Sequence, residues 1–217
     1  HNAVTRTLHH FKESGVIDVM DLDVTDTLDY DLTRIRYQFE EVRPDFVIVS
    51  HASNVIGLVA PVESIFSLAK KFRAITLVDM AQTAGLVDLD VGLETIDFAV
   101  FAGHKTLMGP TGISGFIMNP SFDLPPVLFG GTGYDSSNQD MPSSLPERYE
   151  MGTPNIMGVA GLNAALKWIN EQTVAELYLK EEQQRERLIA LLGDYDFLRI
   201  VGNVKERKYV GIVSVLL

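Results

Sequence analysis

Three short stretches gather side chains that can do chemistry. Ser50, His51, Ser53 and Asn54 stand together, Asp79 precedes Gln82 by three positions, and Gly103 is followed by His104, Lys105 and Thr106. Together they offer a carboxylate, two amides, two imidazoles and an amine. Lys105 is hemmed in by Gly103 and by GPTG at 109–112, so its ammonium would be partly desolvated, the condition under which a lysine condenses with a carbonyl. Taken alone it reads more readily as a surface lysine at the end of a strand. Asp79 has no basic neighbour in sequence, so its carboxylate caps a helix, binds a metal or faces a cationic ligand atom.

Other chemistries fit less well. There is no cysteine, so these residues hold no disulfide, no thiolate metal site and no Cys nucleophile. No HxH, HExxH or spaced acidic cluster accompanies Asp79, and His9 and His10 read as residues of a surface helix. Gly103-His104-Lys105-Thr106 copies only the tail of a phosphate-binding P-loop, with His104 where the second glycine must be and Ala99 where the first should stand. A Ser-His-Asp hydrolase built on Ser50-His51 lacks a GxSxG elbow.

The elements that would position these groups are strands and helices in alternation. Residues 45–50 (DFVIVS), 75–79 (ITLVD) and 97–101 (DFAVF) are short β-branched or aromatic runs, the pattern of buried parallel strands. Between the first two, residues 61–73 repeat Ile65, Leu68, Ala69 and Phe72 at helical spacing behind Pro61, which makes a βαβ unit. In open α/β sheets ligands bind beyond the carboxyl ends of the strands, and the three chemical stretches occupy that place. Residues 112–118 read as a further strand. The Pro-, Gly- and Ser-rich stretch at 119–154 reads as a long loop of the functional or mobile kind. Two helices follow, the first with small residues Gly158, Ala160, Gly161, Ala164 and Ala165 for close packing, the second with a charged, solvated middle at 180–187. Residues 198–201 and 209–217 end the chain as strands.

With 46% hydrophobic and 22% charged residues the composition is that of a globular protein, not a disordered one. A net charge of −11 repels phosphate backbones, which sets nucleic-acid binding aside. No apolar run approaches the roughly 20 residues of a membrane span, and nothing at His1 reads as a signal peptide. A cytoplasmic protein without membrane contact is the expectation.

The ordered set VDMAQTAG (78–85), FAGHKTLMGPTG (101–112) and YEMGTPN (149–155), joined by HNAV (1–4), SHASNVIG (50–57) and GGTG (130–133), resembles the class V aminotransferase group of pyridoxal-phosphate enzymes, and within it the cysteine desulfurases. The resemblance implies the large domain of a type I pyridoxal-phosphate transferase, an α/β fold with a mostly parallel sheet flanked by helices, over residues 1–193. A small C-terminal domain would begin at 194–217.

It also implies roles. Lys105 would hold pyridoxal 5'-phosphate covalently and then move the substrate Cα proton, while Asp79 would pair with the pyridine nitrogen and Gln82 with the phenolic oxygen. His1 would stack on the ring, Asn54 would lie near the phenolic oxygen and substrate, and His104 would bind the phosphate. Thr153 would reach the phosphate of a neighbouring subunit, which implies a two-fold dimer; a helix N-cap before Pro154 is its plainer role. The reaction implied is conversion of L-cysteine to L-alanine with sulfur passed to an acceptor protein. Another class V activity, amino-group transfer or selenocysteine cleavage, begins with the same lysine, and a catalytically silent scaffold is the alternative outside enzymes.

Position 102 departs from the pattern, with alanine where the family usually carries a hydroxyl for the phosphate. The family's Gly-rich phosphate cup would lie before His1, and its substrate-binding arginine and sulfur-accepting cysteine after Leu217. The 217 residues therefore read as an inactive piece of a longer enzyme.

Overall fold

The computed structural model of the chain describes residues 1–135, 137–204 and 206–217. Its centre is a four-stranded sheet of β1 (Phe46–Ser50), β2 (Ile75–Asp79), β3 (Phe98–Ala102) and β4 (Ser114–Met118), side by side in chain order. The first three run parallel and β4 returns antiparallel, so the sheet is mostly parallel as expected. Val47, Val49, Thr76, Val78 and Ala99 are buried, which is why these β-branched runs are strands: a short extended segment covered on both faces needs side chains that fill a pleated surface.

Helices α1 (Asn2–Glu13), α2 (Leu32–Val42) and α3 (Val62–Lys70) follow in chain order. The crossover from β1 to β2 is α3, which packs on both strands. Its Ile65, Phe66 and Ala69 have no solvent exposure, the i, i+1, i+4 stripe of a helix pressed on a sheet. Pro61 sits at its N-cap rather than in its first turn, and the helix stops at Lys70. On α3 lies α2, started by Asp31, whose carboxylate accepts from the N–H groups of Thr33 and Arg34. No residue of α1 is buried, in keeping with a surface helix for His9 and His10.

At the amino ends of the strands Asp97 closes a polar knot. Its Oδ2 accepts from the Thr76 N–H at 2.8 Å and from Lys70 Nζ, which also donates to Ala74 O at 3.1 Å, while Thr76 Oγ1 donates to Thr95 O at 2.6 Å. With Asp97 itself 6% exposed, the carboxylate is held by donors rather than by water.

No helix or strand is present among the described residues from 119 to 155. The loop is pinned where Tyr149 Oη and Arg148 Nε both donate to Leu124 O. Then come α4 (Ile156–Gln172) and α5 (Val174–Leu192). The N-cap of α4 is Asn155, whose Oδ1 accepts from Gly158 N–H at 2.9 Å. The capping role considered for Thr153 thus falls to the residue after Pro154, because the helix starts two positions later. Close packing through small residues holds at Gly161, where a Cβ would come within 2.8 Å of Pro110.

The charged middle of α5 is not uniformly solvated. Arg185 is 8% exposed, lies 4.1 Å over the Tyr209 ring and donates to Asn203 Oδ1 at 3.1 Å. A residue from the far end of the chain covers that face, which no local pattern on the helix announces. The terminal strands shrink to β5 (Arg199–Val201) and β6 (Ser214–Leu216), an antiparallel pair. Residues 208–210 instead run beside 57–59, with Val59 N–H donating to Lys208 O and Val210 N–H to Gly57 O, each at 2.9 Å.

Candidate active site

Register brings the three chemical stretches to one edge. Ser50 pairs with Asp79, and Asp79 with Val100, so β1, β2 and β3 deliver their carboxyl ends side by side. The segments that leave those ends are the ones that carry Asn54, Gln82 and Lys105.

Asp79 is held from two sides. Its Oδ1 accepts from the Ala81 N–H at 2.9 Å and its Oδ2 from Ser50 Oγ at 3.4 Å. The carboxylate is partly exposed and pairs with no Lys or Arg among the described residues. It neither caps an assigned helix nor joins a metal cluster: no group of three or more metal-binding side chains occurs among the described residues.

Lys105 sits on a turn with little freedom. Gly103 N–H donates to Ile113 O at 2.9 Å, Gly109 N–H to Gly103 O at 2.7 Å and Met108 N–H to Lys105 O at 2.8 Å. A Cβ at Gly103 would lie 2.7 Å from Ile113 Cγ2, and one at Gly109 would lie 2.8 Å from Gly103 O, so glycine is required where these backbones touch. The lysine is partly buried, and its Nζ makes no hydrogen bond or ion pair among the described residues. Next to it, Thr106 Oγ1 is buried without a partner. Thr106 had not stood out in the sequence as anything but the tail of a failed P-loop.

Gln82 and Asn54 likewise make no side-chain hydrogen bond among the described residues. Gln82 is partly exposed in the turn after β2, and Asn54 is exposed in a turn whose first residue, Ser53, accepts from the N–H groups of Val55 and Ile56. His104 is exposed beside Lys105, Thr153 is exposed before α4, and Ala102 closes β3 opposite Ser114. His1 is exposed too, its Nδ1 accepting from Ala3 N–H as the cap of α1; no hydrogen bond joins it to the strand-end groups.

One polar residue at this edge is deeply buried. His51 is 4% exposed, with Nδ1 at 2.9 Å from Thr83 Oγ1. Burial, and after it the positive charge of Lys208, pushes the imidazole down to about 4, so it is neutral at physiological pH. Its contact with Thr83, and that of Ser50 with Asp79, leave no Ser-His-Asp relay. The hydrolase alternative fails on geometry.

The donor set fits a small aromatic cofactor with an aldehyde, a phenolic oxygen and a basic ring nitrogen. A partly buried amine with no partner, a carboxylate with no cation, two uncommitted amides and an orphaned hydroxyl share one strand edge. Buried or half-buried polar groups left unpaired are costly without a ligand. Hollows of about 390 and 480 Å³ lie elsewhere, between α5 and Asn203, Val204, Arg207 and Tyr209 and between α2 and α3. They are lined by mixed acids and bases, and the chemistry at the strand edge outweighs their size.

Comparison with known proteins shows the family of the chain. The model of the family "Aminotransferase class-V" matches residues 1–217. A probable cysteine desulfurase of Pyrococcus abyssi is 37% identical over 174 residues, covering 77% of this chain and 43% of that protein. One of Methanothermobacter thermautotrophicus is 32% identical over 173 residues, covering 77% and 42%. The chain thus spans less than half the length of these relatives. Among solved structures, the apo cysteine desulfurase of Thermococcus onnurineus NA1 superposes with a TM-score of 0.87 at 28% identity, over 100% of this chain and 55% of that one.

Proposed function

The chain belongs to the aminotransferase class-V family, and from that premise we propose that its protein is a pyridoxal-phosphate enzyme that removes sulfur from L-cysteine and leaves L-alanine. The observation that carries the reading is the Lys105 amine, without a partner among the described residues, on a turn pinned by Gly103 and Gly109 at the same strand edge as the Asp79 carboxylate.

When bound, pyridoxal phosphate supplies an electron-poor ring that takes up the electron pair left at the substrate Cα. Lys105 would bind the cofactor through Nζ and then hold or return the Cα proton at that atom. Asp79, its carboxylate oriented by Ala81 N–H and Ser50 Oγ, would face the cationic ring nitrogen. Gln82 and Asn54 would donate to the phenolic oxygen and His1 would cover the ring. His104 and Thr106 would offer donors for the phosphate where Ala102 offers none.

The sulfur acceptor has to be a thiol outside these residues, since they contain no cysteine. Amino-group transfer, which would begin with the same lysine, is the runner-up within the family. We read the assembly as a two-fold dimer in which Thr153 serves the partner's phosphate. The runs of exposed apolar side chains at Val127, Leu128 and Phe129 and at Ile156 and Met157 support it, since apolar surface left in solvent is available for a subunit contact. A cytoplasmic location belongs to the same reading, and no described helix is long and apolar enough to cross a membrane. The divide at 193/194 between a large and a small domain belongs to it as well.

The test uses the full-length protein with added pyridoxal phosphate. With an added dithiol as sulfur acceptor and reductant, a bound chromophore at the edge of the visible range, alanine and sulfide from cysteine, and loss of chromophore and products in Lys105→Ala are expected. An unchanged chromophore in Lys105→Ala overturns the assignment. An oxo acid in place of alanine selects amino-group transfer.

A further inference from the structure

His51 stands between the groups assigned to the site and is none of them. Its backbone N–H donates to Asp79 O at 2.8 Å, and its carbonyl accepts from Ala60 N–H at 2.8 Å. Its imidazole reaches forward to Thr83, which has no solvent exposure. One residue at the end of β1 therefore grips both ends of the segment 79–83.

That grip matters because of what lies between. Gln82 has no side-chain hydrogen bond among the described residues, so only the backbone of the turn sets where its amide points. The turn is closed by Thr83 N–H and Ala84 N–H on Met80 O, at 3.0 and 2.9 Å. The Ala81 N–H in the same turn orients the Asp79 carboxylate. The only other acceptor near the Thr83 hydroxyl among the described residues is Met80 O, at a marginal 3.5 Å. The histidine contact is therefore the strong tie between β1 and this turn, and it closes in either tautomer of a neutral ring.

We propose that His51 is a positioning residue that, through Thr83, fixes the distance and angle between the Asp79 carboxylate and the Gln82 amide. Both groups act on the cofactor ring, so the proposal rests on the reading above and extends it to a histidine that would not touch cofactor or substrate. A loosened turn would leave the fold in place and let the two ring contacts drift out of step, which changes the electronics of the bound ring before it changes its occupancy.

The full-length protein with added pyridoxal phosphate is the material, and Thr83→Val is the decisive variant, since it removes one hydroxyl at nearly constant volume. Thr83→Ser and His51→Asn retain a polar partner and serve as rescues; His51→Leu removes the imidazole. In Thr83→Val the pH midpoint of the chromophore is expected to move by about half a unit or more, and kcat for cysteine to fall about tenfold with KM within about twofold. Amide exchange at 81–84 is expected to quicken, and both rescues to stay near wild type.

A Thr83→Val protein with a wild-type midpoint and kcat overturns the proposal. So does one that loses only thermal stability, the outcome of a merely structural role. If His51→Leu fails to fold, Thr83→Val still decides. Absence of any chromophore in the wild type overturns the cofactor reading and this proposal with it, whereas a chromophore indifferent to Thr83 overturns this proposal alone.

Discussion

Acidification from pH 7 to pH 5 should cost the protein about 2 kcal/mol of stability through His51 alone. The imidazole is 4% exposed and has its pKa pushed down to about 4, by burial first and by the Lys208 charge second. In the unfolded chain it titrates near the usual 6.5. The folded state thus binds the proton less readily than the unfolded one, so the contribution is full above the unfolded value and is lost as pH falls toward the folded one. At about 1.36 kcal/mol per unit, the 1.5 units from 6.5 to 5 give about 2 kcal/mol, and about 3 kcal/mol is gone by pH 4.

Urea unfolding followed by helical circular dichroism at pH 7, 6 and 5, on wild type and on His51→Asn, isolates this quantity. The constant cost of the substitution cancels in the difference between pH values, as do the many surface carboxylates. Of the charged groups near His51, only Lys208 shifts it. Asp79 lies across the β1–β2 pairing, and Lys208 acts through its charge, so Lys208→Gln should bring the wild-type pH dependence part of the way toward that of His51→Asn. Parallel pH profiles for wild type and His51→Asn would refute the reasoning, because they would mean that His51 is either solvated or charged in the folded state.

Two further substitutions probe the frame that carries the site. Asp97→Ala strands the buried Thr76 N–H and leaves Lys70 Nζ only Ala74 O and should lower stability by about 2–4 kcal/mol, measured by urea unfolding; a loss under about 1 kcal/mol would show that water replaces the carboxylate. Gly57 has φ +75°, and a Cβ there would lie 2.8 Å from Ile212 O and 2.9 Å from Val210 O, so Gly57→Ala should cost about 2–4 kcal/mol. Hydrogen exchange should then quicken at Val59 and Val210, whose N–H groups bond across this contact; unchanged protection there would show that the two segments do not hold each other.

The central sheet was legible because buried parallel strands announce themselves: 45–50, 75–79 and 97–101 are short runs rich in β-branched or aromatic residues, and the structure moves their ends by one residue at most. The chemical stretches were legible for a related reason, since a strand that ends in polar residues must deliver them to the sheet edge. Asn155 as the cap of α4, and the burial of Arg185 under Tyr209, were not legible. Each depends on a partner distant in sequence or on the exact start of a helix, and local periodicity carries neither.

Residue types and their order determined which groups could act: a lysine, a carboxylate and two amides in segments that follow strands, and no thiol to join them. Only the tertiary structure decided that Lys105 Nζ finds no partner among the described residues, that Asp79 is oriented by Ser50 and Ala81, and that His51 turns to Thr83 instead of Ser50. Strand register and burial settle such choices. Both arise from contacts between residues 29 and 32 positions apart, where a hydrogen bond depends on how the sheet is assembled and not on which neighbours the chain supplies.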